Sequence, residues 1–259
     1  VIVFAIDISE QKIAEENMQR FNRELQHLSQ LKSQFASMVS HELRTPLTVI
    51  KEGINIVLDG IDGPVTPAQQ DTLLLARNNV DRLARLINNV LNYEKLESGK
   101  MEMAFEEANL NDLVSEVMFF MELAARKKNI RIISELPPRT TKLICDADKL
   151  KEVLINLIDN SLKNTQAGGT ISIRLKPCTH EIELEVEDNG VGIRPEDQKN
   201  IFEMFHQAGS PRASRLGGSG VGLAVCKLVV EQHHGRISVE SFPGKGTKFS
   251  VMIPNRLSV

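Results

Sequence analysis

An apolar seam near the start of the chain narrows the possible folds more than any other feature. Met18, Phe21, Leu25, Leu28, Phe35 and Val39 fall at three- and four-residue steps, interrupted by Lys32. That spacing places them on one helical face and gives the helix a heptad seam. A seam needs a partner, and a second copy of the chain is the commonest one, so residues 13–36 are expected to form the coiled-coil helix of a homodimer. The series resumes at Ile50, Ile54, Val57 and Leu58, and the Gly- and Pro-rich residues 59–67 then read as a connecting loop. Leu73, Ala76, Val80, Leu83, Ile87 and Val90 form a second stripe. The two helices predict a hairpin, and two hairpins a dimeric four-helix bundle.

Inside the first helix stands Ser40-His41-Glu42-Leu43-Arg44-Thr45-Pro46-Leu47. His41 lies two positions past the seam residue Val39, on the solvated side, with Glu42 beside it and Thr45 one turn on. Pro46 removes a backbone donor and crowds the Glu42 carbonyl, so the turn is expected to bend or loosen. A lone helical histidine is more often a solvated or packing residue than a reactive one. Its flanking pattern has to make the case.

Composition excludes several classes. With 259 residues, 41% hydrophobic and 25% charged, the chain can bury a core, and a net charge of −3 gives no basic field for nucleic acid. Cys145, Cys178 and Cys226 show neither CxxC nor Cys/His ligand spacing, which argues against a disulfide framework or a zinc site and fits a reducing, cytoplasmic setting. The run Val1-Ile2-Val3-Phe4-Ala5-Ile6 is too short to span a bilayer. Because the sequence opens on Val1, an excised piece of a longer protein is expected, with any membrane attachment carried by segments outside it.

Residues 1–6 read as a strand, and residues 7–12 as either the exit of a PAS-like sensor domain or a ragged chain end. Ser98-Gly99-Lys100 supplies a glycine stop and the expected domain boundary. Beyond it, residues 101–105 read as a short strand, 109–128 as a helix with Asn109 as its cap, and 130–135 as a strand. Asp146 caps a further helix that runs to about Asn164. Strands follow at 170–176, 181–187, 236–241 and 248–253. The expected class is α+β: a long coiled-coil helix and helical hairpin, then an α/β sandwich.

Four elements of this second part carry polar or glycine-rich chemistry. Asn156, Asn160 and Lys163 share a helical face; amide oxygens suit Mg²⁺ and a lysine suits phosphate, although a solvated face is the plainer reading. Asp188-Asn189-Gly190-Val191-Gly192 follows a strand and leaves a carboxylate free to accept from an exocyclic amine, or is an ordinary turn. Gly217-Gly218-Ser219-Gly220-Val221-Gly222 opens an apolar helix that runs to His233, a natural anion site. Gly244-Lys245-Gly246-Thr247 by itself is a hairpin turn.

The Ser40–Leu47 stretch resembles the H box of sensor histidine kinases. In order, the four later elements resemble the N, G1, G2 and G3 boxes of their ATP-binding domain, a Bergerat-type fold shared with gyrase and heat-shock chaperone ATPases. Ile201-Phe202-Glu203-Met204-Phe205 is similar to the F box, followed by a lid over about 206–217. The resemblance covers nearly the whole chain from Ile13 onward. It implies domains over residues 1–12 (end of a PAS-like sensor), 13–36 (coiled-coil signalling helix), 37–98 (dimerisation and histidine phosphotransfer) and 99–259 (ATP binding).

The implied roles are His41 as phosphoacceptor, Glu42 as its orienting base, and Thr45 as the residue that orients a water for dephosphorylating the partner. Asn156 would ligate Mg²⁺, with Asn160 and Lys163 beside the phosphates. Asp188 would read adenine, with Gly190 and Gly192 lining the base pocket; Gly218, Gly220 and Gly222 would wrap the phosphates, and Thr247 would stand behind Asp188. Lid residues Arg212 and Arg215 are candidates to reach the γ-phosphate. The chain departs from the pattern at Asn164, where an aromatic residue is usual, with Phe205 as a substitute, and at Ser161, where alanine is common.

The function implied is ATP-dependent autophosphorylation of His41 and transfer to an aspartate of a response-regulator receiver domain, with ATP and Mg²⁺ as cofactors. A phosphatase-only or non-catalytic scaffold is the principal rival. A dinucleotide oxidoreductase lacks the βαβ unit and the acidic residue about 20 positions on that its fingerprint requires.

Overall fold

The structure, a computed structural model, describes residues 9–61, 63–207 and 220–255. The strand expected at 1–6, Gly218 and the lid residues Arg212 and Arg215 lie outside them. The order is α1 (Ser9–Leu58), α2 (Pro67–Glu97), β1 (Glu106–Asn109), α3 (Leu110–Lys127), β2 (Arg131–Glu135), β3 (Lys142–Cys145), α4 (Ala147–Asn164), β4 (Thr170–Pro177), β5 (Glu181–Asp188), α5 (Pro195–Gln198), α6 (Gly222–Gln232), β6 (Arg236–Phe242) and β7 (Gly246–Pro254). Two compact units divide the chain, Val1–Val80 and Asp81–Val259.

In the first unit α1 runs unbroken through Pro46. Glycines at positive φ, Gly60 at 73° and Gly63 at 117°, turn the chain of the helical hairpin. A capping box then starts α2: the Thr66 amide donates to Gln69 Oε1 at 2.9 Å while the Gln69 amide donates to Thr66 Oγ1 at 3.3 Å. Pro67 stands in the first turn, where its missing N–H costs nothing. Along α1, Met18, Phe21, Leu28 and Phe35 are exposed, and so are Leu31 and Met38, which the seam assignment omitted.

In the second unit the rest of α2 ends at Gly99, whose φ of 65° lets its amide and that of Lys100 turn back to the carbonyls of Leu96 and Lys95. Leu96 is 2% exposed and belongs to the main core. The five-stranded sheet has the order β2-β4-β5-β7-β6. It is a mixed sheet, with β2 parallel to β4 and every other pairing antiparallel. The strand expected at 101–105 lies instead at Glu106–Asn109, because its partner is β3, a four-residue strand too short to show a periodicity.

Helices α3, α4 and α6 cover one face of the sheet. Leu154, Leu157 and Ile158 of α4 and Val225 and Val229 of α6 meet Ile171, Ile173, Val186, Phe249 and Val251 of the strands in one core. Full burial of each such side chain contributes about 1.5–3 kcal/mol. The opposite face is a charge lattice in which Arg174 reaches Glu187 at 2.6 Å and Glu185 at 3.3 Å, and Lys176 reaches Glu185 at 2.8 Å. Period-two alternation in β5 therefore sends Val186 and Asp188 to the covered face and Glu185 and Glu187 to the lattice.

Candidate phosphoacceptor turn and nucleotide site

Two sets of candidate side chains emerge, one in each unit. On α1 the His41 side chain is 75% exposed and its Nδ1 lies 3.4 Å from Glu42 Oε1. A carboxylate only accepts, so this contact puts the ring proton on Nδ1 and leaves the Nε2 lone pair outward. Pro46 has no amide to give the Glu42 carbonyl. The neighbouring hydroxyls bond back along the helix, Thr45 Oγ1 to the His41 carbonyl at 3.5 Å and Thr48 Oγ1 to that of Arg44 at 3.0 Å, a pattern that bends helices. Thr45 thus sits on the His41 main chain one turn from the ring.

The second set lies at the C-terminal ends of α4 and β5. Asp188 is 5% exposed, and its carboxylate accepts from Ser161 Oγ at 2.9 Å, from the Gly190 amide at 2.9 Å and from the Thr247 amide. Burial pushes the Asp188 carboxyl above the ordinary aspartate range, and these three donors oppose the shift. Aspartate and threonine face each other directly in the β5–β7 register.

Close backbone approach explains the glycines. A Cβ on Gly190 would strike the Asn164 carbonyl oxygen, and one on Gly192, at φ 70°, the Phe242 carbonyl oxygen. At Gly246, at φ 100°, a Cβ would strike the carbonyl oxygen of Asp188 itself. The chain therefore folds tightly around the carboxylate only where no side chain intervenes.

On α4 the Asn156 amide hydrogen-bonds to the buried thiol of Cys226, and its Oδ1 lies 3.3 Å from where a Cβ on Gly222 would stand. Its oxygen is thereby aimed at the start of α6. No side chain among the described residues caps that helix, and a helix N-terminus suits an anion. Lys163 Nζ pairs along the helix with Asp159 at 2.6 Å. Asn164 folds its amide back onto the Asn160 carbonyl at 2.8 Å, while Phe205 is exposed. The Phe205 amide donates to the Gly220 carbonyl at 2.9 Å, with φ of 61° at Phe205 and 68° at Gly220, so the two ends of the 206–219 segment meet.

Among the described residues the structure brings together Asn156 with Gly222, and Asp188 with Gly190 and Thr247. His41, Glu42 and Thr45 form a separate turn. Two participants had not been singled out as such. Ser161 is a polar residue on the buried stripe of Leu154, Leu157, Ile158 and Leu162, which is itself the signal of a buried hydrogen bond. Ser241 accepts the Ile193 amide at 2.8 Å and gives no sequence signal beyond a serine in a strand.

Comparison with known proteins gives this geometry a family. Residues 31–99 match the "His Kinase A (phospho-acceptor) domain", and residues 145–257 the "Histidine kinase-, DNA gyrase B-, and HSP90-like ATPase". Drug sensory protein A of Synechocystis sp. is 36% identical over 90% of this chain and 36% of its own length. Sensor histidine kinase WalK of Bacillus subtilis is 31% identical over 89% of this chain and 38% of its own. This chain thus spans well under half the length of these curated relatives. Among solved structures, the catalytic domain of histidine kinase ThkA is 30% identical, covering 59% of this chain and 99% of that one, with a TM-score of 0.53. ThkA in complex with response regulator TrrA is 27% identical, covering 96% and 68%, with a TM-score of 0.62. A full-length ShkA structure in complex with AMPPNP is 26% identical, covering 85% and 45%, with a TM-score of 0.71.

A histidine phosphoacceptor segment followed by an ATPase domain of the gyrase and chaperone type defines the class. The chain belongs to the sensor histidine kinases.

Proposed function

We propose that this chain transfers the γ-phosphoryl group of ATP to His41 Nε2 and passes it to an aspartate of a response-regulator receiver domain. The observation that carries the reading is the exposed imidazole whose Nδ1 faces Glu42, in a chain that also holds the Asp188 cradle. With its proton held on Nδ1, the neutral ring attacks through Nε2, and the Glu42 carboxylate stabilises the positive charge that develops. The P–N bond forms as the bond to the leaving ADP oxygen breaks. Positioning and electrostatics supply most of the acceleration in such transfers.

Asp188 accepts from the adenine amine, with Gly190 and Gly192 lining the base pocket and Thr247 behind. Gly218, Gly220, Gly222 and the first amides of α6 take the phosphates, with Asn160 and Lys163 beside them; Lys163 exchanges Asp159 for phosphate. The Asn156 amide oxygen suits a hard cation, and it would hold Mg²⁺, which lowers the charge repulsion of the phosphates. Thr45 orients water for hydrolysis of the phosphorylated partner.

The exposed seam of α1 favours a homodimer, in which Phe21, Leu28 and Phe35 find their packing. Receiver docking rests on the ThkA–TrrA complex. The divisions 1–12, 13–36, 37–98 and 99–259 remain our assignment of the parts. No helix among the described residues is long and apolar enough to cross a membrane; membrane attachment of the parent protein would rest on other segments. Nucleotide binding without acid-labile, base-stable phosphate on His41 would favour the scaffold reading. Recovery of a phosphoramidate that chases onto a receiver domain supports the kinase.

A further inference from the structure

A row of side chains crosses three strands on the helix-covered face of the sheet: Asp188 on β5, Thr247 on β7 and Ser241 on β6. The registers place Asp188 opposite Thr247 and Thr247 opposite Ser241. All three are at most 6% exposed. Side chains directly opposite in antiparallel strands stand on the same face within reach of one another.

Three contacts converge on Ser241 Oγ. The Ile193 amide lies at 2.8 Å, the Gly246 carbonyl oxygen at 2.9 Å and Thr247 Oγ1 at 2.9 Å. A serine hydroxyl has one proton and two acceptor positions. The amide can only donate and the carbonyl can only accept. One proton assignment makes all three contacts hydrogen bonds: Ser241 donates to Gly246, and Thr247 donates to Ser241. The Thr247 hydroxyl has then given away its only proton, and its oxygen can only accept. Beside it, the Asp188 carboxylate is also an acceptor, held by Ser161, which donates to Oδ2, and by the Gly190 amide, which donates to Oδ1.

We propose that Ser241 is a specificity-determining residue of the nucleotide site: by taking the Thr247 proton it leaves a floor of acceptors that admits a purine with an amine at C6 and refuses one with an oxo group there. This rests on the reading that Asp188 meets the C6 substituent of the base. An amine brings N–H donors to that floor, whereas an oxo group brings lone pairs against lone pairs, and a polar mismatch in a desolvated site discriminates strongly. Ser241 acts through Thr247 and touches no nucleotide itself. It is a positioning residue. Through the Ile193 amide it also fastens the glycine turn to the β6–β7 hairpin, so packing and proton assignment need separate readouts.

The test measures binding of Mg²⁺ complexes of three nucleotides to the 259-residue chain and its Ser241→Ala variant by titration calorimetry. The nucleotides are ATP, ITP with an oxo group at C6, and purine riboside triphosphate with only hydrogen there. In the parent, ATP is expected to bind at least about tenfold more tightly than ITP. In Ser241→Ala the Thr247 hydroxyl is free to turn and donate, so ITP gains and the ATP-to-ITP ratio falls by about tenfold, while purine riboside triphosphate is unchanged.

A parent that does not discriminate overturns the base-reading role of Asp188 and this inference with it. Discrimination in the parent that persists undiminished in the variant overturns the Ser241 role alone. So does equal weakening of all three nucleotides, the mark of lost packing. If the alanine variant loses its fold, Ser241→Cys keeps the volume with a poorer acceptor. A reduced ATP-to-ITP ratio there supports the assignment, and an unchanged ratio contradicts it.

Discussion

His41 and Asp188 are the two groups on which the proposed chemistry depends, and they are held in opposite ways. The imidazole stands on one helix, 75% exposed, with a 3.4 Å carboxylate contact. The carboxylate stands 5% exposed at the meeting of α4, β5 and β7, with donors from three segments. A phosphoryl acceptor has to be visited by two different partners, so exposure serves it. A base-reading group has to reject near-analogues, and rejection requires desolvation and a fixed orientation. Substitutions around Asp188 should therefore act on fold and affinity together, and substitutions around His41 on turnover alone.

Gly246→Ala presses that contrast hardest. The added methyl would overlap the Asp188 carbonyl oxygen at a φ of 100°, so we expect a loss of about 3 kcal/mol or more in urea unfolding together with loss of nucleotide binding. A variant of parental stability would show that the cradle yields, removing the distinction between the two regions. Asp188→Ala comes next. ATP affinity should fall by about 100-fold or more together with a lower urea midpoint, because the Ser161 and Gly190 donors lose their acceptor, and retained affinity would assign base recognition elsewhere.

Thr45→Ala lies on the exposed side of the comparison. It deletes a hydroxyl that, among the described residues, reaches the His41 carbonyl, and surface changes of this kind usually move stability by less than about 0.5 kcal/mol. Phosphatase activity toward a phosphorylated receiver should drop while labelling of His41 is spared. Equal loss of both would make Thr45 structural.

The smallest effect concerns His233. It is buried, accepts the Asp146 amide at 3.0 Å through Nε2 and directs Nδ1 at the Val229 carbonyl at 2.8 Å. Burial holds its pKa below the ordinary histidine value, against the raising influence of the Val229 bond and of Asp146. With the folded pKa depressed, the unfolded chain binds the proton more readily. Stability is therefore full above the unfolded value, near 6.5, and declines as pH falls below it. His233→Gln keeps one donor and one acceptor without titrating. Urea midpoints of the parent should drop more steeply than those of the variant from pH 7 to pH 5, and parallel curves would remove His233 from the account.

Much of this architecture was legible in residue order. Asp146 and Asn109 were readable as caps because a short polar side chain precedes each apolar periodicity, and both do cap, at 3.0 Å to the Lys149 and Asn111 amides. The glycines of the cradle were readable as places of close approach. β3 was not, since four residues paired with a distant four-residue strand carry no period of their own. Nor was the parallel β2–β4 pairing, which depends on the crossover through β3 and α4 rather than on either strand. Ser241 was opaque for a different reason: a serine in a strand is small enough to pass as filler, and only the position of its hydroxyl relative to Thr247 gives it meaning, whereas Ser161 stands out as a polar residue on a buried helical stripe. The exposed turn needed least from the third dimension, because its members are sequence neighbours.

The most direct test of the central claim is phosphoryl incorporation from γ-labelled ATP with Mg²⁺ into this chain and into His41→Gln, with the stability of the label followed in acid and in base. The account predicts label on the parent alone, lost in acid and kept in base, as a phosphoramidate on Nε2 requires. Label that persists in His41→Gln, or no label on a parent that binds ATP, would contradict it.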